Sequence, residues 1–388
     1  MRLIPWDYGV RNLARSPVRM WLSVAGSFLV VLLILAAAAF VRGMEASLVT
    51  TGGADNVILL GAGSEESVER SEISPTVPDQ VIASIRGIKS RLGVAYVSPE
   101  VYLDAVVKTD AGATSSAQAS VRGVKPAAFL VHHQVRVAEG RIPEPGRDEI
   151  LVGAAVGAKL GLESQKVAVG QTLWFDDRDW TIVGRFDAPG TVLEAELWVP
   201  RTDLQLAARR ENLSSVILTL DDATIDDVDV FAKRRTDLEL VAISEQAYYA
   251  RLTAFFKPIQ AMVWATALLI ALGGLLGGLN TMYAAFVGRV RELGTLQVLG
   301  FSRRAIVVSL VQESVLVTAA GALLAVAVGL TLLSGLQVRF SMGVFGLLVD
   351  ATVLLTALVA GFFLGFIGAL PPAIRCLRLP ITQALKAA

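Results

Sequence analysis

Four runs of about 20 or more apolar residues dominate the chain, at Trp21 to Val41, Ile259 to Val287, Ala305 to Leu333 and Ala351 to Leu370. As a helix, each is long enough to cross roughly 30 Å of hydrocarbon, where an open sheet edge or lipid-exposed loop would leave backbone groups unpaired. A polar stretch of about 210 residues separates the first run from the second, enough to bury its own core. The chain is 54% hydrophobic yet 18% charged, which fits a protein part in lipid and part in water.

The charges set an orientation. Arg2, Arg11, Arg15 and Arg19 precede the first run, Arg289, Arg291, Arg303 and Arg304 lie between the second and third, and Arg375, Arg378 and Lys386 follow the fourth. Only Arg339 lies between the third and fourth. The positive-inside rule then places both termini and the 288–304 segment in the cytoplasm. Residues 43–256 fall outside, carrying 21 Lys/Arg against 31 Asp/Glu, a net −10 hidden by the zero total. The expected order is a leader at 1–20, a first span at 21–42, an outer domain at 43–243, a stalk and second span at 244–287, a cytoplasmic helix at 288–304, spans at 305–333 and 351–370 around a short outer loop at 334–350, and a cytoplasmic tail at 371–388. Ala36 to Ala39 would suit signal-peptide cleavage, but the run is about twice the length of a signal h-region, so an uncleaved anchor is expected. In the leader, Trp6, Val10 and Leu13 share one face of a helix suited to the headgroup layer, with membrane lipid as its partner.

The outer block alternates short β-type runs with turn signals: NVILL at 56–60, VYLDAVV at 101–107, DEILVG at 148–153, QTLWF at 171–175, WTIVGRF at 180–186, ELWVP at 196–200 and SSVILTL at 214–220. VPDQVIASIRG at 77–87 reads as a helix, so the domain is α+β. DAGATSSAQAS at 110–120 suits a hairpin tip or a seam between subdomains. No GxSxG, HExxH, CxxC or EF-hand loop occurs. The histidines, His132 and His133, are adjacent, poor geometry for one metal, and are expected on a surface strand or turn. The acidic run 221–229 could bind a cation but reads rather as a solvated helix N-terminus or loop. Cys376 stands alone, so no intrachain disulfide forms. No catalytic residue, metal site or nucleic-acid partner is expected. In 244–260, Ser244 can cap a helix whose stripe is Tyr248, Leu252, Phe255 and Ile259, a stalk continuing the second span outward with Pro258 as a kink.

Inside the membrane, LGGLLGGLN at 272–280 pairs Gly273 with Gly277 and Gly274 with Gly278, and the fourth run pairs Gly361 with Gly365. Such spacing lets helices approach closely, and because four helices make a small bundle a homodimer through this face is expected, with packing within one chain as the alternative. Glu313 lies eight residues into the third span, where a charge costs about 2.5–3.5 kcal/mol, so it either serves as a polar hinge or partner contact or lies near the headgroups.

The segment RVRELGTLQVLGFSRR at 289–304 places Val290, Leu293, Leu296 and Leu299 three residues apart among charges, with Gly300 where a C-cap glycine belongs. The pattern suits either a helix lying on the bilayer or a ridge docked in a groove of a soluble partner. The longer run RVRELGTLQVLGFSRRAIVVSLVQESVL at 289–316 resembles the signature of the FtsX-like permease domain shared by MacB, LolC/LolE and FtsX type ABC transporter permeases. WDYGVRNLARSPVRMWLSVAG at 6–26 and PPAIRCLRLPITQAL at 371–385 are similar to the same families. DEILVGAAVGAKLGL and GQTLWFDDRDWTIVGRF resemble the MacB-type periplasmic domain.

That resemblance implies a type VII ABC transporter-like fold, with four transmembrane helices and an α+β extracytoplasmic domain inserted between the first two. It implies that Arg291, Glu292, Leu293, Gly294, Leu296, Leu299 and Gly300 belong to the coupling helix that sits on the nucleotide-binding subunit. MacB-type members carry a fused ATPase, but no GxxxxGK[ST] occurs here, so a separate ATPase chain would bind ATP and Mg, with no cofactor in this chain. A homodimer in the bacterial inner membrane, with a periplasmic adaptor and an outer-membrane channel, is the implied assembly. Mechanotransmission is the implied action, exporting or extracting a hydrophobic or peptide-like substrate. FtsX-like control of a cell-wall hydrolase and LolC/E-type lipoprotein release are the alternatives.

Overall fold

The computed structural model describes residues 17–340 and 343–378. Trp6, Val10 and Leu13 of the expected leader helix, and the tail beyond residue 378, lie outside them. The chain divides into two compact units, one helical (residues up to 43, 258–336 and from 347) and one α+β (44–257 and 337–346).

The first helix, α1 (Pro17–Thr51), exceeds the apolar run that specifies it, and its last turns belong to the α+β unit. That unit contains β1 (Asn56–Gly61), α2 (Val77–Ser84), β2 (Ser90–Arg91), β3 (Val94–Ala95), β4 (Val97–Val107), β5 (Ala117–Val124), α3 (Ala128–Val131), β6 (Arg136–Gly140), β7 (Glu149–Gly153), α4 (Val156–Leu160), β8 (Thr172–Phe175), β9 (Arg178–Asp187), β10 (Leu197–Pro200), α5 (Arg201–Ala207), β11 (Ser215–Thr219), α6 (Ile225–Arg234), β12 (Leu240–Ser244) and α7 (Glu245–Phe255). A mixed sheet runs in the order β12-β1-β11-β4-β5-β10-β7-β9-β6, with β8 paired to β9. The long strand β4 joins its two halves. Val97–Glu100 pair with β11, and Val101–Val107 pair with β5. The 110–116 segment is therefore the tip of the β4–β5 hairpin, while the seam between halves falls inside β4.

Apolar alternation explains the core. On β9, Trp180, Ile182 and Phe186 are fully buried, and Trp180 stacks on Phe175 at 4.8 Å with rings 2° from parallel. Asp176 and Asp177 adopt positive φ in the β8–β9 turn, which suits their tolerance of the left-handed region. The acidic segment opens α6 through a capping box: Thr224 caps the N-terminus, and the Asp227 carboxylate accepts from the Thr224 backbone N–H at 2.8 Å.

Two expectations are corrected here. His133 is exposed, but His132 is fully buried with its Nε2 2.8 Å from Glu100 Oε1. Three neighbouring strands bring charges inward: Arg122 of β5 binds Glu100 of β4 at 2.5 Å and grips Glu196, just before β10, with two bonds of 2.7 Å. A buried charge persists only when paired, and the two carboxylates need two cations. Burial opposes ionisation of Glu100, yet the His132 and Arg122 charges outweigh it and hold its carboxyl down at about 2. Burial likewise opposes charge on His132, and Glu100 overcomes it, raising the imidazole above its ordinary value.

The second correction concerns the stalk. Ser244 does cap α7, accepting from the Ala247 N–H at 3.2 Å, and Tyr248 and Leu252 are buried. The stripe then fails, with Phe255 76% and Ile259 44% exposed. The helix breaks at Phe256, and a new one, α8 (Lys257–Val287), begins. Pro258 lies in its first turn, where a missing N–H removes no helical bond, so it starts a helix rather than kinking one.

The helical unit continues with α9 (Val290–Val298), α10 (Arg303–Leu332) and α11 (Ala351–Leu377). Helices α1, α8, α10 and α11 are each apolar and long enough to cross a membrane. Ser302 caps α10 and Asp350 caps α11. Asp350 also pairs with Arg42 of α1 at 2.9 Å, an exposed contact worth at most about 1 kcal/mol. Between α10 and α11, the segment expected as a plain loop forms an antiparallel pair, β13 (Gln337–Phe340) and β14 (Gly343–Gly346), which belongs to the α+β unit. There Val344 packs with Ala155 and Ala195, and Lys159 Nζ donates to the Phe340 carbonyl at 2.7 Å.

Candidate functional site

The nine residues of α9 form a helix too short to persist alone, so its stability comes from packing. Its C-terminus is a Schellman motif. The Phe301 N–H donates to the Leu296 carbonyl at 3.1 Å, and the Gly300 N–H donates to Gln297 at 3.1 Å. Gly300 has φ +91°, which a side chain would resist. Val290 and Leu293 are buried in one cluster with Ile306 and Leu310 of α10 and Ala373, Cys376 and Leu377 of α11, and Leu296 and Phe301 pack against it. Gly294 is buried beside them.

The expected four-residue stripe is therefore divided. Its first two members hold α9 to the spans, and Leu296 is half-buried. Leu299, 67% exposed, points away with Val298, 62% exposed, and Arg291, Glu292 and Thr295 are also exposed. Those positions recur at i, i+4 and i+7, so they form a second face combining charge with two uncovered branched aliphatic side chains. A three-residue apolar period drifts around a 3.6-residue helix, which is why the sequence pattern joined an anchored end to a free one.

Arg289 immediately precedes α9 and is buried. Its Nη1 donates to both oxygens of Glu313 on α10, at 3.2 and 3.0 Å, and its Nε reaches Glu292 at 3.4 Å. The Arg289 and Glu313 side chains are 10% and 9% exposed. The sequence left Glu313 between a hinge or partner contact and a headgroup position. The structure buries it inside the bundle with an arginine. Glu313 lies ten residues beyond Arg303, about 15 Å along the helix. The pair thus ties the start of α9 to a point well inside α10.

The glycines separate by environment. A Cβ on Gly274 would meet Val30 of α1, on Gly361 Ala322, on Gly365 Thr318 and Val315, and on Gly321 the Ser27 side chain and Val24 carbonyl. These are close approaches within the chain, and sequence reading missed Gly321 because its partner, Ser27, is small but not glycine. By contrast, a Cβ on Gly273, Gly277 or Gly278 meets nothing within 4 Å. Only a small fraction of α8 is buried among the described residues. The α8 glycine motif therefore divides into one intrachain contact and three open positions. Among the described residues, no group of three or more His, Cys, Asp or Glu could hold a metal.

Residues 20–230 match the family model of the MacB-like periplasmic core domain, and residues 264–381 match that of the FtsX-like permease C-terminal region. Among solved structures, the periplasmic region of MacB from Actinobacillus actinomycetemcomitans is similar, with 10% identity and a TM-score of 0.39 over 52% of this chain and 94% of that one. The extracellular domain of the noncanonic ABC-type transporter YknZ from Gram-positive bacteria is similar over 48% of this chain and 99% of that one, with 12% identity and a TM-score of 0.37. No match was found among curated proteins.

Proposed function

The chain belongs to the MacB/FtsX-type ABC transporter permeases, and on that premise we propose that it is the subunit through which a separate ATPase moves an outer domain. The ATPase receives the exposed face of α9, with Arg291, Glu292, Val298 and Leu299 as its contacts. Closure of two ATPases draws two copies of α9 together. Burial of Val290 and Leu293 makes the helix and the ends of α10 and α11 move as one body, and the Arg289–Glu313 pair carries that motion into α10. The α+β unit, entered through α1 and left through α7, changes its opening and drives export or extraction of a hydrophobic or peptide-like substrate. ATP and Mg stay on the ATPase.

The single observation that carries this reading is the division of α9 into an anchored face and an uncovered one. A helix that only lay on lipid would not need a buried ion pair beneath it. Two copies assemble through the open glycines Gly273, Gly277 and Gly278. The basic clusters support a cytoplasmic α9 and cytoplasmic termini in an inner membrane, with the outer domain free to engage a periplasmic adaptor leading to an outer-membrane channel.

Co-purification of the full chain with its cognate ATPase provides the test. Leu299→Asp should leave the chain folded and abolish ATPase binding, because it places a charge on an already exposed position inside the docking face. Leu293→Asp should instead unfold the helix end. If Leu299→Asp and Glu292→Ala both retain the ATPase and its coupled hydrolysis, α9 is not the docking element.

A further inference from the structure

The α+β unit contains a cavity of about 1100 Å³ whose lining is divided by chemistry. One wall is apolar and aromatic, formed by Leu48 at the end of α1, Tyr248, Tyr249 and Leu252 of α7, and Phe256. Another part of the lining is acidic: Glu65, Glu66 and Glu69 from the 62–70 loop, with Asp104 of β4. Of the arginines lining the cavity, Arg122 is committed to Glu100 and Glu196, which leaves Arg70 and Arg251 against four carboxylates. Asp104 is held by the Ser120 hydroxyl at 2.7 Å. Partial burial, together with the hydrogen bond and charge of Asp104, pushes Glu69 up to about 7. Glu69 thus lies beside a second carboxyl, where a cation would favour its ionised form.

We propose that this cavity is the ligand site of the outer domain, and that it takes an apolar molecule bearing a positive charge, with the charge at Glu69 and Asp104 and the body against Tyr248, Tyr249 and Phe256. The volume suits a drug-sized body, and mixed apolar walls with a few convergent polar groups are what such sites require. Aromatic faces beside the carboxylates add cation–π attraction. An anionic or neutral molecule of the same shape would leave the carboxylates unpaired. The proposal rests on the transport reading for its role, since the apolar wall comes from the end of α1 and from α7, two of the segments by which the chain passes into and out of the unit.

Tetraphenylphosphonium and tetraphenylborate are matched in size and opposite in charge, and neither titrates. Equilibrium dialysis of each against the detergent-solubilised full chain, with an empty-detergent control for partitioning, should show saturable binding of the cation at one per chain and none of the borate. Glu69→Gln with Asp104→Asn should weaken cation binding tenfold or more. Glu69→Gln alone, at an exposed position where the fold should tolerate it, should weaken it at least threefold. Affinity should fall as pH is lowered from 8 to 6, as Glu69 takes up its proton. Equal binding of both ions, non-saturable uptake, or unchanged affinity in Glu69→Gln overturns the proposal. Failure of the transport reading would appear separately, as ATPase retained by Leu299→Asp, with the dialysis result unchanged.

Discussion

Glu313→Gln should cost the helical unit about 3 kcal/mol. The substitution preserves shape and an acceptor oxygen but leaves Arg289 charged, buried and facing a neutral amide. With charge centres about 4 Å apart and an effective dielectric of ~20, the lost attraction is about 4 kcal/mol. The Glu292 carboxylate, still 3.4 Å from Arg289 Nε, returns part of it. The remainder agrees with the 3–5 kcal/mol typical when one partner of a buried pair is removed. In a thermal melt of the purified chain followed by intrinsic fluorescence, that corresponds to a Tm lower by about 5–10 °C. Replacing both partners, Arg289→Met with Glu313→Leu, should recover most of the lost stability, since a buried pair exchanged for apolar groups is often neutral. The double variant should nevertheless hydrolyse ATP with its partner without moving the outer domain, because the tie from α9 into α10 is gone. A Glu313→Gln melt within 1 °C of the parent, or a double variant that remains fully coupled, would refute both the magnitude and the role.

Leucine at Gly277 should leave the monomer's melt unchanged, because a Cβ there meets nothing within the chain, yet reduce the dimer fraction in crosslinking; leucine at Gly321 should do the reverse, since it drives into Ser27 and the Val24 carbonyl. The α+β unit should be most stable between two limbs of pH. Glu100, lowered from 4.5 to about 2, contributes about 3 kcal/mol that is present above 4.5 and lost as pH falls toward 2. His132, raised from 6.5, contributes stability that is complete below 6.5 and lost as pH rises through its higher folded value. Denaturant titrations followed by the fluorescence of Trp198, 5.6 Å from His132, should show both limbs, and His132→Gln should flatten the alkaline one.

Much of the architecture was readable because lipid demands it. Four apolar runs had to be helices, and the structure has helices long and apolar enough to cross a membrane at all four. Alternation and turn signals located β1, β7, β8, β9, β10 and β11 and the second half of β4. What escaped the sequence was whatever depended on a partner far along the chain. Strand β5 starts inside the 110–120 segment read as a hairpin tip or seam and runs on through Arg122 and Gly123, which gave no strand signal; mid-sheet, its guanidinium is paired by Glu100 and Glu196. His132 reads as surface for the same reason. The β13–β14 pair was missed because its order comes from Ala155, Lys159 and Ala195, more than 140 residues away. At the candidate site, the sequence located α9 and its glycine stop and singled out Glu313 without deciding between a packed and a headgroup position. It could not separate anchored from exposed leucines, since that depends on where α10 and α11 pass.

The central claim is that force enters at the exposed face of α9 and emerges as movement of the outer domain. With Cys376, the single cysteine, replaced by alanine and a spin label placed at residue 110 on the β4–β5 hairpin tip, double electron–electron resonance reads the distance between the two copies in the complex with the ATPase. The account predicts a distance distribution that shifts when ATP is bound to a hydrolysis-deficient ATPase, and that stays at its ATP-free position in Leu299→Asp. A distribution unmoved by ATP, or one that shifts equally in Leu299→Asp, would contradict it.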